Sequence, residues 1–251
     1  MSFWQGTLVF VAGIWAGGIN TVVGSGTLVS FPVLLYVGLP PVTANISNAV
    51  GLFPGSFVGA YGYRRELAGQ GRRAVILSTA TIAGSLAGAI LLLELPSSAF
   101  KAIVPALIII ALLLVVFGPR LTARLKDTRH GASKTVTPAL WASTLGTGVY
   151  GGYFGAAQGV LMMGFLGLFL DEDIQRQNAL KNVLAGLVNF VAACVFVIAA
   201  EHIDWTAAGL IAAGSIIGGV IGARIGRRLS PTVLRAVIVA VGIAALVKLL
   251  V

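Results

Sequence analysis

Polar side chains that interrupt long apolar runs are where this chain has chemistry to offer. They are Asn20, Ser25, Thr27, Asn45, Ser47 and Asn48 in the first half, and Gln158, Asn178, Lys181, Asn182 and Asn189 in the second. A polar group at membrane depth is costly, and by default it marks a pathway or a binding site. Amides, hydroxyls and one ammonium are hydrogen-bond donors, while no Asp or Glu lies well inside any apolar block. Two Gly-rich stretches, Gly24-Ser25-Gly26-Thr27 and Gly155-Ala156-Ala157-Gln158-Gly159, fall in the middle of the two longest uncharged blocks. Helix N-termini opening at such breaks would add backbone N–H groups and partial positive charge. This donor set suits an oxyanion or a carboxylate better than a metal or an organic cation. The expected substrate-binding residues are Gly24, Ser25, Gly26, Thr27, Asn45, Asn48, Gly155, Gln158, Gly159, Asn178, Lys181 and Asn182.

Other chemistries find few residues to build on. His130 and His202 fall in loops, and no HExxH, CxxC or DxD pattern occurs. Neither Gly-rich stretch carries the Lys-Ser/Thr of a phosphate-binding loop. The chain is therefore expected to have no catalytic residues, metal site or cofactor, and not to be an enzyme. Several donors have a structural reading beside the functional one. Asn45, Asn48, Asn178 and Asn182 could cap helix N-termini, and Lys181 could snorkel to an interface. Cys194, among apolar neighbours, reads as a packing residue.

The elements that must hold these residues are membrane spans. Of 251 residues 57% are hydrophobic and 10% charged, with a mean hydropathy of +0.97. A soluble domain would carry about a quarter charged residues, so a cytosolic enzyme, a nucleic-acid binder and a disordered chain are excluded and a polytopic membrane protein remains. The net charge of +9 comes from Lys and Arg placed between the apolar runs. That placement reads as an orientation signal, putting loops 64–73, 120–134 and 224–235 on the cytoplasmic side of a cell inner or plasma membrane. The N-terminus lacks the basic n-region of a signal peptide, so the first segment is expected to remain in the mature protein. Gly84/Gly88 and Gly214/Gly218/Gly222 have the spacing of close helix packing, and Gly51, Gly55 and Gly59 beside Pro54 read as packing or kinking residues.

The two halves look alike. A shift of about 134 positions superposes Gly84 on Gly218, Gly88 on Gly222, Asn48 on Asn182 and Lys101-Ala102 on Arg235-Ala236; with a slightly shorter shift, Gly17 and Gly24 meet Gly148 and Gly155. Equivalent loops carry opposite charge: Arg64, Arg65, Arg72 and Arg73 correspond to a loop with Glu201 and Asp204, whereas Glu94 corresponds to Arg224, Arg227 and Arg228. Under the positive-inside rule such loops lie on opposite sides of the membrane. The expected fold is an all-α polytopic membrane protein of two inverted repeats, 1–119 and 138–251, joined by a basic cytoplasmic linker, 120–137. In each repeat a long Gly-broken block, 6–42 or 138–170, is either a re-entrant hairpin or a helix pair, and three transmembrane helices follow it.

The stretch Gly-Ser-Gly-Thr-Leu-Val-Ser-Phe-Pro (Gly24 to Pro32), followed by Ala-Asn-Ile-Ser-Asn (Ala44 to Asn48), resembles the first-half signature of the TauE/SafE-type permeases. These are the sulfite and organosulfonate exporters, also called the toluene sulfonate uptake permease family. Tyr150 to Gly159 resembles the second-half signature, but Ala156, Ala157 and Gln158 replace glycines and Met163 stands where proline is common. The resemblance covers essentially the whole chain. It implies a secondary carrier for small sulfur-containing or carboxylate anions, driven by a proton or sodium gradient and working by alternating access. Its partners would be a small anionic substrate, a coupling ion and the lipid bilayer, with no nucleic acid; a homo-oligomer is compatible with this. Two alternatives remain beside it: a channel or carrier for a neutral or cationic metabolite, and a non-transporting membrane scaffold.

Overall fold

A computed structural model describes residues 1–127 and 133–225, together with 236, 238–240 and 243. Arg129 and His130 of the linker, the loop from 226 to 235 and Lys248 lie outside the described residues. Helices make up most of what is described: α1 (Phe3–Val22), α2 (Thr27–Tyr36), α3 (Pro41–Gly62), α4 (Gly71–Glu94), α5 (Ser97–Asp127), α6 (Pro138–Tyr153), α7 (Gln158–Phe169), α8 (Ile174–Ala199) and α9 (Trp205–Ile225). Gly71–Glu94, Ser97–Gly118, Ile174–Ala199 and Trp205–Ile225 are each long and apolar enough to cross a membrane. Their outward faces are apolar (Ile82, Leu86 and Ile90 on α4; Ile216, Ile217 and Ile221 on α9), whereas Asn45, Asn48, Lys181 and Asn182 are buried. That distribution is the reverse of a soluble protein's, and it fits a bundle whose solvent is lipid. The chain is a multi-pass membrane protein.

Local chemistry sets the helix ends. Ser2 and Gln5 form a reciprocal capping box at α1, Thr137 caps α6 ahead of Pro138, and Asp173 caps α8. The long blocks break where expected. Between α1 and α2 the chain turns through Gly24 (φ +82), and between α6 and α7 through Gly155 (φ +77) and Ala157 (φ +58). The second break is shorter than the sequence suggested, since Gln158 and Gly159 already belong to α7.

The second arm of each block, with 10 residues in α2 and 12 in α7, rises about 15 and 18 Å. A full crossing needs about 30 Å, so neither block is a pair of complete spans. Each returns to the end from which it entered. Ser133, just before α6, bonds Phe169 and Asp171 at the far end of α7. At the opposite end of the bundle, α1 lies alongside α9 in the same direction, with Gly6 near Leu210 and Gly18 near Gly218. The start of α9 meets α3 near the end of α2, through the Asp204 N–H donated to Ser47 Oγ.

Helix pairing is reciprocal between the halves: α1 packs on α9, and α6 packs on α4. Both contacts are too close for side chains. A Cβ on Gly84 or Gly88 would sit 2.3 Å from Leu145 O or 2.0 Å from Val149 O, and one on Gly214 or Gly218 would sit 2.4 Å from Phe10 O or 2.0 Å from Ile14 O. Gly51 and Gly55 similarly let α3 meet Ile211 and Ser215 of α9. These glycines pack helices, as their spacing suggested. Cys194 corrects the sequence reading. It is exposed on the outer surface of α8 rather than packed in the interior.

Candidate functional site

The two broken hairpins touch at their tips. The N–H of Gly159, in the first turn of α7, donates to Gly24 O at 2.9 Å. A Cβ on Gly24 would fall 2.4 Å from Gly159 Cα, and one on Gly159 would fall 2.4 Å from Gly24 Cα and 3.0 Å from Lys181 Cδ. Gly155 stands near Thr27, whose Oγ1 would be 3.9 Å from a Cβ there. Gly24, Thr27, Gly155, Gly159 and Lys181, nominated from sequence, are thus brought together.

Lys181 is fully buried, the one charged side chain so placed among the described residues. Its Nζ donates to the carbonyls of Asn20 (3.0 Å) and Thr21 (3.2 Å) in the last turn of α1. Asn182 Nδ2 and Asn178 Nδ2, on the same face of α8, reach Thr21 O at 3.2 and 3.5 Å. The other hairpin receives similar treatment from α3. Asn45 Nδ2 donates to Tyr153 O at 2.9 Å, at the end of α6, and Asn48 Nδ2 donates to Thr27 Oγ1 at 3.3 Å while its Oδ1 accepts from Ser30 Oγ.

These contacts correct several sequence readings. None of the four Asn caps a helix N-terminus: they lie inside α3 and α8, and three of them bond the C-terminal carbonyls of α1 and α6. Lys181 does not snorkel to an interface. Gly26 has an ordinary helical backbone (φ −57), so its need for glycine is steric, a Cβ there lying 2.3 Å from Ala16 O. Ser25 is buried, and its Oγ meets no partner among the described residues; neither do Gln158 Oε1 and Asn178 Oδ1. Such groups leave hydrogen-bonding capacity beside the tip contact that a ligand or water can use.

A polar seam that the nominated set missed extends the site. Gln158 Nε2 lies 3.4 Å from Asn189 Oδ1, Asn189 Nδ2 donates to Ser56 Oγ at 3.0 Å, and Asn20 Nδ2 donates to the same hydroxyl at 3.1 Å. Asn20 and Asn189 were in the polar set read from sequence; helical spacing could have added Ser56, which follows Asn45, Asn48 and Leu52 on one face of α3.

At the basic end of the bundle, Arg73 bonds Lys134 O and pairs with Glu172, which also accepts from Arg176 at 2.8 Å. Gln70 Nε2 donates to Arg176 O at 3.0 Å. These contacts join the α3–α4 and α7–α8 connections to the segment that leads into α6.

Comparison with known proteins points to one family of membrane transporters. The family model described as Sulfite exporter TauE/SafE matches residues 9–249. A "Probable membrane transporter protein" of Haemophilus influenzae is 26% identical over 84% of this chain and 81% of its own length. "Probable membrane transporter protein ORF9" of a Sinorhizobium species is 31% identical over 64% of this chain and 60% of its own. "Probable membrane transporter protein YfcA" of Escherichia coli K12 is 26% identical over 85% and 77%. No solved structure matches the chain.

Proposed function

This chain belongs to the TauE/SafE sulfite exporter family, and on that premise we propose that it is a secondary carrier for small anions: sulfur-containing oxyanions, organosulfonates or short carboxylates. Lys181 carries the reading. It places an amine able to carry a positive charge beside the contact of two broken hairpins, with no described Asp or Glu buried near it. An ammonium has three N–H donors, of which two are engaged by α1, leaving one donor and the charge for an anion. The amides, Thr27 and Ser25 surround that charge with neutral groups that can orient a small oxyanion.

In this reading residues 1–119 and 138–251 are inverted halves linked by 120–137, with the basic end of the bundle in the cytoplasm. Support comes from hairpins that enter from opposite ends and from the reciprocal pairing of α1 with α9 and α6 with α4. Rocking of the halves about the tip contact would expose the site alternately to each side.

The test is uptake of labelled sulfite, thiosulfate, taurine and short carboxylates into proteoliposomes. Saturable flux suppressed by unlabelled competing anions is expected. Flux of neutral or cationic solutes alone, or no flux under any gradient, overturns the proposal. Losing a charge-assisted hydrogen bond costs about 1.5–3 kcal/mol, so Lys181→Ala should weaken anion affinity roughly ten- to a hundredfold. Unaltered affinity in that variant would mean that neutral donors alone hold the anion.

A further inference from the structure

We propose that the ammonium of Lys181 is a tethered substitute for a coupling cation, so that the carrier needs no sodium at this site. The proposal deepens the anion-carrier reading and rests on it for what is carried. In carriers built on broken helices, carbonyls at the C-terminal end of a half-helix bind the coupling cation. Here the last turn of α1 presents such carbonyls. Ile19 O accepts the N–H groups of both Val23 and Gly24, whereas Asn20 O and Thr21 O face α8 and receive Lys181 Nζ. The negative end of the helix dipole, where a cation is favoured, is therefore already occupied by a side-chain amine.

The other hairpin serves as an internal control. Tyr150 O accepts from both Phe154 and Gly155, the same pattern as at Ile19. Three residues on, in the same last turn, Tyr153 O takes a neutral amide from Asn45. By the repeat, the position equivalent to Lys181 is Ser47, whose hydroxyl accepts from Asp204 N–H. A neutral amide thus suffices to satisfy the end of a broken helix. An amine able to carry a charge exceeds what packing at α1 requires, and a cation site with a built-in occupant accounts for it. The groups packed around Lys181 are Asn20 and Thr21 from α1, Gly159 from α7, and Asn178 and Asn182 from α8, none of them acidic.

Thermal unfolding of the full chain in detergent, with sodium or choline as the cation at equal ionic strength, tests this together with uptake. Wild type should show the same Tm and the same anion uptake in both salts; saturable activation or stabilisation by sodium overturns the proposal. Lys181→Ala should lose about 5 °C in Tm, and methylammonium or sodium should restore at least half of that loss while leaving wild type unmoved. A variant that responds to neither cation shows that these carbonyls form no cation site and also overturns it. Lys181→Met, which keeps the apolar stem, takes the place of the Ala variant if that does not fold, and the wild-type salt comparison decides the matter without either. Because Tm is read without flux, wild type that transports no anion counts against the carrier reading alone.

Discussion

Three glycines around the first hairpin separate two costs that this residue avoids. Gly38 has φ +98 and no described residue within 4 Å of an added Cβ, so Gly38→Ala meets backbone strain, about 1 kcal/mol. Gly26 has ordinary φ but would drive a Cβ into Ala16 O. Gly24 combines both, with φ +82 and Gly159 Cα 2.4 Å from its Cβ position. Overpacking adds about 1–3 kcal/mol to strain. Thermal denaturation should therefore rank Gly24→Ala as the most damaging and Gly38→Ala as the least; equal losses would mean that the tip contact contributes nothing. In Gly26→Val the added side chain would collide with α1 of the same hairpin, so a loss of flux in that variant would report packing. The donors of the site were readable from residue type alone, as Lys181, Asn178 and Asn182 show. Their partners were not, because backbone carbonyls in the last turn of another helix leave no mark on the local pattern.

Among the connections, Glu172 ties the start of α4 to the α7–α8 turn. Hydrogen bonding from Arg73, above all, holds its carboxyl below the usual carboxylate range, against an opposing effect of burial. A depressed folded-state pKa contributes stability that is fully present above the unfolded value, near 4.3, and is lost as pH falls through the folded one. Glu172→Gln should lower Tm by a few degrees at neutral pH, as expected for partly buried pairs worth about 1 kcal/mol or less. The difference from wild type should vanish in acid. A gap that persists there would assign the effect to packing. The hairpin breaks and the glycine contacts of α4 with α6 were readable because glycine spacing reports close approach directly. Which way a helix faces was not. A span is apolar on both its lipid and its protein sides, so Cys194 among Val, Ala and Phe gave no sign that it points outward.

Sidedness is a property of the assembled bundle, and labelling can read it. With Cys194→Ala as the thiol-free background, Arg65→Cys and Glu201→Cys place single thiols on exposed positions at opposite ends. A membrane-impermeant thiol reagent applied to sealed vesicles of one orientation should label Glu201→Cys from outside and Arg65→Cys only after inversion. Labelling of both from one side would refute the inverted arrangement. The reciprocal pairing of the helices also sets the order of biosynthesis. When α6 is made, its partner α4 already stands in the bilayer, so the second hairpin can dock as it emerges. α1 is made well before its partner, since α9 begins about 180 residues later, a separation that delays pairing. Until then the glycine face of α1 has only lipid against it, and a helix made early becomes one of the last to find its place.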